Sequence, residues 1–144
     1  MDFKGLVIAT EYVKIDGGIN TNDPYSVEHR HVINDNESLI SSEIEVFLVN
    51  IAEPGLRYPI IKTKMNFWIN GESNQTAIAE RILYSAKNQY AEIFFILYQI
   101  MSEHNLKHIH IHPVSDSEVY QNVKSQIPIG DLTFDNFGRY NFPF

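Results

Sequence analysis

The chain has 144 residues, the length of one domain, and is 44% hydrophobic, 12% aromatic and 20% charged. That composition is globular and excludes a disordered tail, a collagen and a coiled-coil rod. Cysteine is absent, which excludes disulfides, thiolate zinc sites and thiol nucleophiles and fits a reducing compartment.

The opening Met1-Asp2-Phe3-Lys4 has no basic n-region and no small-residue cleavage site, so no signal peptide is expected. No apolar stretch approaches the ~20 residues that span a bilayer. The expectation is one cytoplasmic, soluble domain over residues 1–144.

In chain order, Phe3 to Ile15 is apolar and β-branched and stops at Asp16-Gly17-Gly18, a strand and its turn. A polar loop follows to Tyr25. Ser26 to Ile33 alternates, with Val27, His29, His31 and Ile33 on one face. After the Asn34–Glu37 loop, Ile40 to Ile51 forms a strand whose Ile44, Val46 and Leu48 point one way and Glu43, Glu45, Phe47 and Val49 the other. Glu53-Pro54-Gly55 turns the chain into a strand from Tyr58 to Ile69, and Pro59 points to an edge position or a late beginning.

The period then changes. From a Ser73 N-cap to about His104, Ile78, Ile82, Ala86, Ile93, Leu97 and Ile100 recur at helical spacing, and since some 30 residues would run about 45 Å, longer than a small domain, a bend or break is expected near Lys87-Asn88-Gln89. The aromatics Tyr84, Tyr90, Phe94, Phe95 and Tyr98 on this helix read as core and rim. Lys107 to His112 is a short strand, Ser115-Asp116-Ser117-Glu118 a capping box opening a short helix, and Ile129 to Phe134 a final strand. The order β-β-β-β-α-β-α-β predicts an α+β fold, with one long bent helix and one short helix on one face of a mainly antiparallel sheet.

The net charge of −7 is concentrated. Residues 15–56 hold Asp16, Asp23, Glu28, Asp35, Glu37, Glu43, Glu45 and Glu53 against Arg30 alone, which is the whole surplus. Such a segment repels phosphate backbones and anionic membranes, so neither nucleic acid nor membrane is expected as a partner. A basic protein would be drawn to it.

His108-Ile109-His110-Ile111-His112 places three imidazoles on one face of a strand, and His29 with His31 repeats the spacing on another. Were those strands neighbours, His29, His31, His108 and His110 could converge on a metal ion. The string resembles the histidine-triad family over seven residues, with Pro113 where that family prefers an aliphatic residue. The resemblance implies a nucleotide hydrolase in which His110 attacks an α-phosphate and His108 and His112 support it. No phosphate loop, nucleophile elbow or His-Glu-x-x-His pair is present in the sequence.

The reading that absorbs most of these features is a small acidic inhibitor that binds a protein. Its concrete case is a bacterial immunity protein occluding the basic active site of a nuclease-type toxin domain. Asp23, Glu28, Asp35, Glu37, Glu43, Glu45 and Glu53 would supply the contacts, beside an aromatic such as Tyr25 or Tyr58. No cofactor is expected. The C-terminal aromatics Phe134, Phe137, Tyr140, Phe142 and Phe144 fold over the core or form a homodimer contact.

Overall fold

The computed structural model describes residues 3–12, 22–36, 39–69, 75–106, 109–111 and 114–135. The fold is α+β. Strands β1 (Phe3–Tyr12), β2 (Tyr25–Asn36), β3 (Leu39–Asn50) and β4 (Arg57–Ile69) precede helix α1 (Gln75–Glu103), strand β5 (Ile109–His110) and helix α2 (Asp116–Gln126). The sheet order is β1-β4-β3-β2-β5, antiparallel from β1 to β2 and parallel where β5 meets β2.

Period-two alternation decides which face is buried. On β3, Ile40, Ser42, Ile44, Val46 and Leu48 are all buried, and they stand beside Ile33, His31 and Tyr25 of β2 and Ile61, Thr63 and Met65 of β4. Ile78, Ala79, Ile82, Leu83, Ala86, Tyr90, Ile93 and Leu97 of α1 cover this face. A register shift between Val46 and Phe47 leaves Ile60 as the extra residue of a bulge, so Ile60 and Ile61 are both buried.

The chain departs from expectation in several places, each with a local cause. Helix α1 runs without interruption through Lys87-Asn88-Gln89. The polar triplet reads as a break, but the Gln89 amide is buried and fully engaged by the sheet, so it continues the inward stripe. Phe95 and Tyr98 of the same helix are exposed, at 67% and 61%, rather than packed at the rim of the core. Strand β4 is interior, between β1 and β3, despite Pro59. Among the described residues the β1 partners run only to Ile61, and the β3 register shifts beside Pro59, where a ladder tolerates a proline.

The expected strand at 129–134 is not formed. Gly130 adopts a left-handed φ of 60°, the Asp131 N–H donates to Thr76 Oγ1 over 2.8 Å, and the chain turns across the start of α1. Leu132 is buried there, and its carbonyl accepts from the Tyr120 hydroxyl. Of the expected strand Lys107–His112, Ile109 and His110 form β5 and Ile111 lies outside it, while Lys107, His108 and His112 fall outside the described residues. Ser73 and the aromatics beyond Asp135 lie outside the described residues, whereas Phe134 meets Tyr120 edge-to-face at 5.7 Å.

Both helices end by recognisable chemistry. Asn105 takes φ 56°, and the Leu106 N–H closes onto the Met101 carbonyl, a Schellman stop with Leu106 buried against the core. Ser115 caps α2 by accepting from the Glu118 N–H. Among the described residues no helix is long and apolar enough to cross a membrane.

Candidate functional site

A polar chain runs through the middle of the apolar core. Gln89 of α1 donates to the Ser42 carbonyl (2.9 Å) and to Thr63 Oγ1 (3.2 Å), and its Oε1 accepts from Ser42 Oγ (2.8 Å). These bonds fix the amide orientation and use the only proton of the serine. His31 Nε2 lies 2.7 Å from the same Oγ, so the imidazole must be the donor there. Burial holds His31 neutral, with its pKa down to about 4, and the charge of neighbouring His29 adds to the effect.

Nδ1 of His31 is therefore a bare acceptor, and it is buried with no hydrogen-bond partner. The Tyr90 hydroxyl is also buried, with the Asn122 side chain of α2 as its polar neighbour. Both imidazoles meet the Tyr90 ring edge-to-face, His29 at 5.4 Å and His31 at 5.8 Å. Burial lowers the His29 pKa against the opposing pull of Glu118, and burial raises that of Tyr90. Glu118 and Asn122 of α2 face this cluster across an open groove that His29 and His31 also line.

Gln126 ties helix α2 to β2. Gln126 accepts from the Ile33 N–H at 2.8 Å and donates to the His31 carbonyl at 3.0 Å, standing in for one residue of a neighbouring strand.

The histidines divide. His29 and His31 share the inner face of β2, but β5 meets β2 only at Tyr25 and Ser26, and the register sets His110 opposite Ser26 rather than opposite His29 or His31. His108 and His112 lie outside the described residues. Among the described residues no group of three or more metal-ligating side chains is arranged to hold an ion.

The acidic candidates divide as well. Glu28, Glu43 and Glu45 lie on the outer face of the sheet, each in an ion pair: with Arg57 at 3.1 Å, Lys62 at 3.2 Å and Arg30 at 2.8 Å. The Arg57 guanidinium also sits 5.1 Å above the Phe47 ring. Two of the three cations belong to β4, which the count over residues 15–56 leaves out. Asp35 is exposed at the far end of β2, and Glu37 lies outside the described residues.

Asp23 and Glu53 do come together, at the β3–β4 turn. Asn50 organises that turn: its Oδ1 accepts from the Ala52 and Glu53 N–H groups, and its Nδ2 donates to Asp23 at 3.1 Å. Backbone bonds from Asn50 to Leu56, from Ile51 to Pro24 and from Leu56 to Glu53 close it. Ile51 and Leu56 project from it, 53% and 41% exposed. Beneath lie buried Tyr25 and half-buried Tyr58, edge-to-face at 6.4 Å.

Sequence reasoning missed Gln89, Gln126 and the pair Ile51 and Leu56. A glutamine at the buried spacing of Ile82, Ala86 and Ile93 was a readable sign of a core polar network. No comparable sign marks Gln126, whose role depends on how α2 docks. The chain matches no family model, and no curated protein sequence or solved structure is significantly similar to it.

Proposed function

We propose that the chain is a protein-binding inhibitor of the immunity type, and that it neutralises a basic, nuclease-type partner by docking through the β3–β4 turn. The supporting observation is the turn itself: two large exposed apolar side chains, Ile51 and Leu56, on a turn that also carries Asp23 and Glu53 and whose backbone is fixed by the Asn50 side chain. A turn already bonded in one conformation loses little entropy on docking, so its contacts translate more fully into affinity. Exposed apolar anchors ringed by charge are the usual make-up of a binding hot spot. The ion-paired Glu28, Glu43 and Glu45 add complementarity at the margin rather than affinity.

The test is calorimetric titration against the protein encoded by the adjacent gene. Ile51→Ser with Leu56→Ser should weaken binding at least tenfold, and Asp23→Asn with Glu53→Gln should slow association. Glu43→Gln with Glu45→Gln should change little. Tight binding that survives the first pair and collapses with the last would move the interface to the outer face of the sheet.

A further inference from the structure

Helix α1 turns one stripe inward, and its opposite side carries a second. Phe95 and Tyr98 stand largely exposed on it, with exposed Ala91 and half-buried Tyr84 and Asn88. From Tyr84 to Tyr98 the steps are four, three, four and three residues, the alternation of a coiled-coil seam. Arg81 and Ser102 continue it by one step at either end. At about 100° per residue this seam lies opposite the inward stripe of Ile82, Ala86, Ile93 and Leu97. A helix laid along it therefore clears the sheet, and α2 docks to one side, where Lys87 meets Asp116 at 3.4 Å.

We infer that this seam pairs with the same seam of a second copy of the chain, the two α1 helices running parallel about a two-fold axis. A seam of this spacing is complementary to itself, each side chain entering a gap between four of the other helix. Phe95 and Tyr98 of both copies, with Ala91 allowing close approach and half-buried Tyr84, Phe94 and Met101 beside them, withdraw on the order of 1,000 Å² from water, the lower bound of a specific interface.

The polar residues set the direction. Lys87 and Glu92 flank the seam on opposite sides, and in a parallel pair Lys87 of each copy reaches Glu92 of the other, twice by symmetry. An ammonium has three protons, so Lys87 keeps Asp116 as well. Asn88 meets Asn88, where each amide both donates and accepts, and so fixes the register. The two Arg81 side chains approach at one end, but Glu80 of each copy forms a wall of the gap that receives the other's Arg81. Antiparallel pairing over the same length sets Glu92 against Glu92 and Asn88 against Phe95, leaving the amide without a mate. The seam shares no residue with the β3–β4 turn, so this pairing and the docking reading fail separately.

Sedimentation of the full chain from micromolar to sub-millimolar concentration should show a monomer giving way to a dimer. Phe95→Glu with Tyr98→Glu, at exposed positions where the far-UV spectrum should match the parent, should raise the dissociation constant at least tenfold. Ile51→Ser with Leu56→Ser should leave it unchanged. Because the chain has no cysteine, Tyr98→Cys reports the direction. Mild oxidation should link it to itself in a parallel pair, whereas the antiparallel pair holds the two sites about 21 Å apart, beyond the reach of a disulfide. A monomer at every concentration would overturn the proposal, as would a dimer indifferent to Phe95→Glu with Tyr98→Glu or one lost in Ile51→Ser with Leu56→Ser. Linkage of Tyr84→Cys to Tyr98→Cys in a mixture, without self-linkage of Tyr98→Cys, would overturn the parallel order. A monomer whose binding to the adjacent gene's product fails in Phe95→Glu with Tyr98→Glu would give this face to a different protein and overturn the pairing of copies.

Discussion

His31 Nε2 stands 2.7 Å from Ser42 Oγ, whose own proton is already given to Gln89 2.8 Å away. The imidazole is consequently locked as a donor on one side and denied a second proton by its surroundings.

A pH dependence with a definite sign follows. Unfolded, this histidine titrates at 6.5, and folded at about 4. Between those values the unfolded chain carries more protons, so stability is full above 6.5 and declines as the pH falls towards 4. The loss attributable to His31 is of the order of 3 kcal/mol. His29, also lowered, acts in the same direction. Urea unfolding at stepped pH should show the decline, and His31→Gln should flatten it. Superimposable pH profiles for the two chains would contradict the assignment.

Gln89 ties α1 to two strands, so replacing it with leucine leaves Ser42 and Thr63 without their partners. The expected cost is ~2–4 kcal/mol. The urea midpoint should fall while the slope of the transition is unchanged. A midpoint within error of the parent would mean that the network is energetically neutral.

These two residues also mark how far the sequence could be read. Alternation on Ser26–Ile33 and Ile40–Ile51 was enough to assign the inner face, because a strand with one buried side writes its register in every second residue. The uninterrupted α1 was legible only in part: Gln89 keeps the inward spacing of Ile82, Ala86 and Ile93, but its reason for facing inward lies in Ser42 and Thr63 on other elements. The acidic segment misled for a related reason. Charge was counted along the chain, whereas Glu28 and Glu43 meet Arg57 and Lys62 across strands. The final strand failed because Gly130 turns the chain where Ile129 and Leu132 suggested extension. The unpaired Nδ1 of His31 depends on side-chain geometry that no spacing rule encodes.

Gln126→Ala should uncover the His31 carbonyl and the Ile33 N–H at the edge of β2. The expected loss is ~1 kcal/mol. Hydrogen exchange at the Ile33 amide should quicken by more than at the β3 amides. Sedimentation should show association rising with concentration, as an unprotected strand edge invites pairing. Unchanged exchange at Ile33 would mean that the glutamine is not what guards the edge.

Gly130→Ala meets two obstacles together. A Cβ there would run into Thr76 Oγ1 and lie 2.8 Å from the Thr76 nitrogen, and the φ of 60° disfavours any L side chain. The backbone penalty alone is ~1–2 kcal/mol. The thermal midpoint should drop by several degrees, and Gly55→Ala, where nothing lies within 4 Å, should serve as the silent control. Equal effects of the two substitutions would remove the argument from steric overlap.

The three ion pairs on the outer face, none longer than 3.2 Å, have a kinetic corollary. Alternating signs at that spacing cancel within a Debye length of ~8 Å at physiological ionic strength. To a macromolecule arriving from afar this broad surface is close to electrically silent. Collisions with it occur at the unassisted diffusional frequency and respond weakly to added salt, and the residence time of anything that lands there is set by short-range fit.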